Sequence, residues 1–265
     1  MPAGTTTEAG TIAGAESIDL QEGNSHGVLL LHGFGDTPQT LQLLARELSA
    51  AGYDVRAPLL PGHGRSVQAF MASRREQWIA CARDELSAMQ ASYETVAVAG
   101  LSMGGALAAI LAAEHPEIPA IILLAPYFDM PVSHRIASAS HWLWGRAAGP
   151  RPSRNPGSIL DPSERARSLA YGVYTGRLLY ELWRLAGRAR ASLSSIRSPT
   201  LLVQSRGDPR IAPIIAERAF AAIKTPEKKL VWIEGAGHVI TVDYGRARVF
   251  TEVKTWLQKY SPASR

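Results

Sequence analysis

Gly100-Leu101-Ser102-Met103-Gly104 places a serine between two glycines with one residue on either side, the pattern G-x-S-x-G. It follows an apolar run, Val96-Ala97-Val98-Ala99, and opens the helical pattern Met103 to Glu114. A strand–turn–helix context lets a tight turn push one hydroxyl clear of the backbone, and the glycines leave room for strand and helix to meet. The helix start adds unpaired N–H groups and a partial positive charge where an oxyanion would form. The chemistry expected is covalent acyl transfer to Ser102.

A serine hydroxyl is a poor nucleophile near neutral pH and needs a base. Turns of this kind take their partners in the chain order serine, acid, histidine. Of the seven histidines, His134, His141 and His238 follow Ser102. His134 and His141 precede the next apolar run, whereas His238 stands in Gly235-Ala236-Gly237-His238, directly after the run Leu230 to Ile233. His238 is therefore the expected base. The acid is expected after the preceding run, Thr200 to Gln204, which continues into Ser205-Arg206-Gly207-Asp208. Asp208 can accept the Nδ1–H of His238, fixing its tautomer and stabilising the imidazolium. Glu234 and Asp243 are the rivals, close to His238 in sequence but off the expected strand end. Two oxyanion donors complete the set: the N–H of Met103, and that of Phe34 in the loop Leu31-His32-Gly33-Phe34-Gly35. The Phe34 ring is expected to border the acyl pocket. His32 is read as structural, as is the turn Pro61-Gly62-His63-Gly64.

These residues need a scaffold that gathers loops from distant parts of the chain. Continuous apolar runs at 27–31, 53–59, 95–100, 120–125, 200–204 and 229–233 read as strands buried on both faces. Helical periodicity over 40–51, 76–91, 103–114, 213–223 and 246–259 alternates with them. That alternation predicts an α/β fold, a mostly parallel central sheet flanked by helices, with ligands beyond the carboxyl ends of the strands. It breaks once, between Pro126 and Pro199. That stretch, dense in Pro, Arg, Gly and aromatics, predicts a small helical cap insertion over 127–198, with 176–191 helical. Residues 18–126 and 199–265 then form the core domain. Trp142, Leu143, Trp144, Leu178, Leu179 and Trp183 are the cap side chains expected to supply residues facing the cleft. Residues 1–17, rich in Thr, Ala and Gly, predict a disordered tail rather than a signal peptide.

With 46% hydrophobic and 19% charged residues the composition is that of a globular domain. No apolar run approaches the roughly 18 residues of a membrane span. The single cysteine, Cys81, excludes an internal disulfide framework, and these features together fit a cytoplasmic location. The net charge of +5 is uneven: residues 127–198 hold eleven Arg, no Lys and four acidic residues, leaving −2 for the remainder. Scattered solvated arginines explain that excess, although such a patch could also attract an anionic surface. No nucleic-acid module is visible.

His32-Gly33-Phe34-Gly35, the segment Ala97 to Gly105, Gln204-Ser205-Arg206-Gly207-Asp208 and His238-Val239-Ile240-Thr241 together resemble the small bacterial carboxylesterases and monoacylglycerol lipases of the α/β-hydrolase superfamily. The likeness spans about Gly27 to Leu257 and is weakest in the cap. It implies Ser102, Asp208 and His238 as catalytic triad, Phe34 and Met103 as oxyanion hole, and a cap that shapes the acyl pocket. It also implies a small-molecule ester substrate of short to medium acyl chain, turned over through an acyl-enzyme, with no metal or organic cofactor. A thioesterase, acyltransferase or carbon–carbon bond hydrolase could use the same residues. A non-catalytic ligand-binding protein of this fold would be expected to carry a damaged triad. The relatives that use an aspartate nucleophile are excluded by Ser102.

Overall fold

The computed structural model describes residues 10–140, 142, 149–153 and 155–263. Seven strands form one sheet in the order β1-β3-β2-β4-β5-β8-β9: β1 (Ile18–Leu20), β2 (His26–Leu31), β3 (Asp54–Ala57), β4 (Thr95–Leu101), β5 (Ile121–Leu124), β8 (Thr200–Ser205) and β9 (Lys228–Ile233). Every pairing is parallel except β1 with β3. The α/β-hydrolase expectation of a mostly parallel sheet is met. Side chains alternate across each strand, so Leu29 and Leu31 join one buried cluster while Val28 and Leu30 join the other. Helices α1 (Gln42–Ser49) and α9 (Arg246–Tyr260) cover the second face, and α3 (Arg75–Gln90) and α4 (Met103–Glu114) the first. α4 is so apolar because it is enclosed all round: ten of its residues, from Met103 to Ala112, are buried. α8 (Pro213–Ala222) links β8 to β9, and short α2 (Val67–Ala72) precedes α3.

Two expected boundaries change for visible reasons. The run 53–59 forms a strand only as far as Ala57, because Pro58 has no N–H to continue the ladder. β1 escapes notice because it is a half-exposed three-residue edge strand with no apolar run. The tail expected to be disordered through Ser17 is also corrected. From Gly10 onward the chain is laid on the body: the Ile12 N–H donates to the Gly64 carbonyl at 2.7 Å, Ala15 is fully buried, and the Ser17 hydroxyl accepts the Leu59 N–H.

Residues 127–198 contain α5 (Val132–Ala139), α6 (Pro162–Arg167), α7 (Gly176–Ser192) and a two-stranded ribbon of β6 (Arg151–Pro152) with β7 (Val173–Tyr174). α7 starts at Thr175, whose hydroxyl accepts the Leu178 N–H. Its apolar stripe, Leu178, Leu182, Leu185 and Ala189, belongs to the core cluster shared with α4. Arg177 caps carbonyls at the end of α2, at 2.7 Å from that of Met71, and Glu181 pairs with Arg75 at 2.7 Å. α7 is thus anchored to the main domain. Of the side chains expected to face the cleft, Leu178 is core, Trp142 is 71% exposed to solvent, and Trp183 stacks edge-on with Tyr180. Leu143 and Trp144, like His141, lie outside the described residues. Among the described residues no helix is long and apolar enough to cross a membrane.

Candidate active site

β4 ends at Leu101, and the chain turns into α4 through Ser102, whose backbone sits at φ 56°, ψ −113°. Positive φ in a non-glycine residue costs energy and persists only when its surroundings impose it. They do: the Ser102 N–H donates to the Leu124 carbonyl at 2.9 Å, and the Ser102 carbonyl accepts from Tyr127 at 2.9 Å and Ala106 at 3.2 Å. The flanking glycines are obligatory. A Cβ on Gly100 would lie 2.1 Å from the Gly104 carbonyl oxygen, and one on Gly104 would lie 1.9 Å from that of Leu31.

The structure brings the three expected residues together across the carboxyl ends of β4, β8 and β9. His238 Nε2 lies 2.8 Å from Ser102 Oγ, and His238 Nδ1 lies 2.7 Å from Asp208 Oδ2. Ser102 is 7% exposed and His238 8%, so the pair is screened from bulk water. Burial alone would raise the Asp208 carboxyl. The charge and hydrogen bond of His238, with the N–H groups of Arg210 and Ile211, outweigh it and hold Asp208 below the usual carboxylate range. Gln204 Nε2 also donates to Asp208 Oδ2 at 2.8 Å.

The rival acids lie elsewhere. Asp243 accepts four backbone N–H groups, from Leu160, Asp161, Gly237 and Tyr244. Glu234 is exposed and pairs with Arg206 at 3.0 Å.

Met103 is the first residue of α4, so its N–H has no carbonyl one turn earlier to meet. The loop of Phe34 runs beside the serine: a Cβ on Gly33 would be 3.5 Å from Ser102 Cβ. His32 sets this loop. Its Nε2 accepts the Leu60 N–H at 3.1 Å, so Nδ1 carries the proton and donates to the Gly33 carbonyl at 2.9 Å. Burial, aided by nearby His63, keeps its pKa well below the ordinary value and the ring neutral. In a trans peptide the Phe34 N–H points opposite that carbonyl, so one bond orients the donor. The Phe34 ring packs on Phe70 and Trp78 at 5.0 and 6.0 Å. His63 is fully buried against His32, Phe70 and Trp78, its pKa lowered by burial to about 4, which agrees with a structural turn.

Asp36 was not singled out from the sequence. Buried in the Phe34 loop, its carboxyl is pushed up by burial to about 7, against the Thr37 N–H bond and the charge of His238. Gln204 and Arg210 were likewise missed as partners of the acid. Gln204 closes an apolar strand, and Arg210 follows a turn-forming Gly-Asp-Pro, so neither carried a signal of its own. A cavity of about 630 Å³ lies between Thr11–Ser17 and Leu59–Gln77, with none of Ser102, Asp208 or His238 in its lining. Among the described residues no group of three or more His, Cys, Asp or Glu side chains is disposed to hold a metal ion.

Comparison with known proteins places this geometry. The profile of the serine aminopeptidase S33 family matches residues 24–244. A thermostable monoacylglycerol lipase of Bacillus sp. (strain H-257) is 31% identical over 94% of this chain and 97% of that protein. A carboxylesterase of Bacillus subtilis (strain 168) is 28% identical over 90% and 94%. Among solved structures, one reported for the metagenome-derived lipolytic enzymes LipS and LipT superposes with a TM-score of 0.85 and 27% identity, covering 93% of this chain and 98% of that one.

Proposed function

The chain belongs to the serine aminopeptidase S33 family and is a serine ester hydrolase, and on that premise we propose that Ser102, His238 and Asp208 are its catalytic triad. His238 Nε2 takes the proton of Ser102 Oγ as the oxygen attacks the ester carbonyl. The tetrahedral oxyanion is held by the N–H groups of Met103 and Phe34. His238 then gives its proton to the departing alcohol, leaving an acyl-Ser102 ester that water, activated by the same imidazole, hydrolyses. Asp208 keeps Nδ1 protonated and steadies the imidazolium. The observation that carries this reading is the unbroken relay, 2.8 Å from Ser102 Oγ to His238 Nε2 and 2.7 Å from Nδ1 to Asp208.

Residues 127–198 form the cap in this proposal. The substrates are short- to medium-chain acyl esters, glycerol monoesters included. The low exposure of Ser102 and His238 supports a site of limited depth, and the names of the two Bacillus relatives support the ester class. The enzyme acts on small molecules in the cytoplasm, without nucleic acid or stable membrane insertion. Chromogenic acyl esters and aminoacyl anilides, offered to wild type and Ser102→Ala, test it. Ester turnover that vanishes in the variant is expected. Preferential cleavage of the anilides would make the protein a peptidase instead.

A further inference from the structure

We infer that Arg210 is a positioning residue for the Asp208–His238 pair, tying the acid loop to Ser153 and Ser158 of the insertion, which in turn holds the histidine loop. The inference rests on the roles proposed for Ser102, Asp208 and His238.

Four hydrogen-bonded links close a ring. Asp208 Oδ2 meets His238 Nδ1 at 2.7 Å, and the His238 backbone N–H donates to the Ser158 carbonyl at 2.9 Å. The Ser158 hydroxyl accepts from Arg210 Nε at 3.0 Å, and the Arg210 backbone N–H returns to Asp208 Oδ1 at 2.7 Å. The rest of the guanidinium grips Ser153, Nη1 on its hydroxyl at 3.2 Å and Nη2 on its carbonyl at 2.5 Å. The insertion and the histidine loop are in backbone contact here. A Cβ on Gly237 would lie 2.1 Å from the Gly157 carbonyl oxygen, and the Ser158 carbonyl also accepts the Val239 N–H. Asp243 fastens the same two segments from below, binding the N–H groups of Gly237, Leu160 and Asp161. What Asp243 does not do is reach the acid loop. The Ser205 hydroxyl joins the acid loop to the histidine loop through the Ala236 carbonyl, and Arg210 joins it to the insertion.

The residue type suits the task. A guanidinium is a planar fork that can meet several acceptors at fixed angles, whereas a lysine ammonium is a point charge on a flexible stem. Arg210 is half-buried, with Tyr127 and Asp208 as the titratable groups acting on it. Asp208 and Asp36 act electrostatically with His238. A positive charge beside this pair opposes formation of the imidazolium, so its removal should favour the protonated base.

The experiment compares Arg210→Met, Arg210→Lys and the double variant Arg210→Met with Ser158→Ala against wild type on a soluble chromogenic ester. All rates are normalised by titrating active sites with a fluorophosphonate. For Arg210→Met we expect kcat to fall by about tenfold or more while KM stays within about twofold, because the base and not the substrate contact is disturbed. The acid limb of the kcat/KM profile should move to higher pH. Arg210→Lys should leave the limb in place and recover only part of kcat. Adding Ser158→Ala to Arg210→Met should cost little more, since both changes cut the same link. An unchanged kcat per titrated site, or a lost kcat with an unmoved acid limb, overturns the inference and leaves Arg210 as a fastener of the insertion. Turnover retained by Ser102→Ala, run alongside, would instead overturn the triad on which the inference rests.

Discussion

Ser102 occupies a backbone conformation that costs on the order of 1–3 kcal/mol and is held by its neighbours; three backbone hydrogen bonds to β5, to the turn after it and to α4 impose it. The same logic of imposed geometry separates the two aspartates near His238. Asp208→Asn keeps the shape of the acid but offers the wrong partner to Nδ1, and kcat should fall by on the order of 10²- to 10⁴-fold. Asp243→Asn keeps activity per titrated site but replaces one of two oxygens that together accept four N–H groups. Leaving buried donors unpaired costs about 1–3 kcal/mol each, so Asp243→Asn should lower Tm by several degrees. Activity-based titration beside thermal denaturation separates the two. Asp36 supplies a pH dependence. Its carboxyl is raised to about 7 in the folded protein, above its unfolded value. The protonated, buried form therefore contributes stability that is fully present below the unfolded pKa of about 4 and is lost as pH rises through about 7. Asp36→Asn removes this titration, so its Tm should gain on wild type between about pH 4 and pH 7. A Tm difference that does not vary with pH would show that Asp36 ionises normally.

At the scale of elements, the site is a meeting of strand ends. β2 delivers the Phe34 loop, β4 Ser102, β8 Asp208 and β9 His238, and the parallel order of these strands puts all four ends on one side. The contact that sets the spacing is glycine against backbone: Gly104 lies so close to the end of β2 that a methyl group there would sit 1.9 Å from the Leu31 carbonyl oxygen and 2.8 Å from that of His32. Gly104→Ala should push the Phe34 loop away from the serine. The expected result is a folded protein with a Tm several degrees lower and kcat reduced by about tenfold or more, since one lost oxyanion donor alone costs about 10²-fold. Circular dichroism with active-site titration checks it; wild-type kcat in this variant would mean the loop does not depend on that contact. Much of this level was legible beforehand. Apolar runs bounded by Gly and Pro marked β4, β5 and β8, because a strand buried on both faces has little freedom in composition; helical patterning located α3, which buries one face, and α4, which is enclosed all round. The half-exposed β1, the short α2 and the β6–β7 ribbon left no such pattern. The linking roles of Gln204, Arg210 and Ser158 depend on contacts between distant segments, which no local spacing encodes.

At the scale of the whole molecule, the stretch 127–198 is packed into the body of the protein. α7 is part of the core through Leu178, Leu182 and Leu185, and the pairing of Arg75 with buried Glu181 anchors it further. This is where reading the sequence reached least far. An apolar side chain in an insertion fits a cleft wall and a packing contact equally well, and only the fold shows Leu178 inside the core and Trp142 in solvent. A site covered by the proposed cap should reward acyl length only until it is full, at about 0.8 kcal/mol per buried methylene. Specificity constants measured across p-nitrophenyl esters from acetyl to palmitoyl should therefore rise and then fall. A flat profile, or an optimum at palmitoyl, would contradict a site of limited depth. The central claim, that an ester's acyl group is handed to Ser102, has a more direct test. Wild-type protein mixed with excess p-nitrophenyl ester and quenched in acid during the first turnover should carry one acyl group on the peptide containing Ser102, and Ser102→Ala should carry none. Acyl label on a different residue, or steady ester turnover by Ser102→Ala, would contradict it.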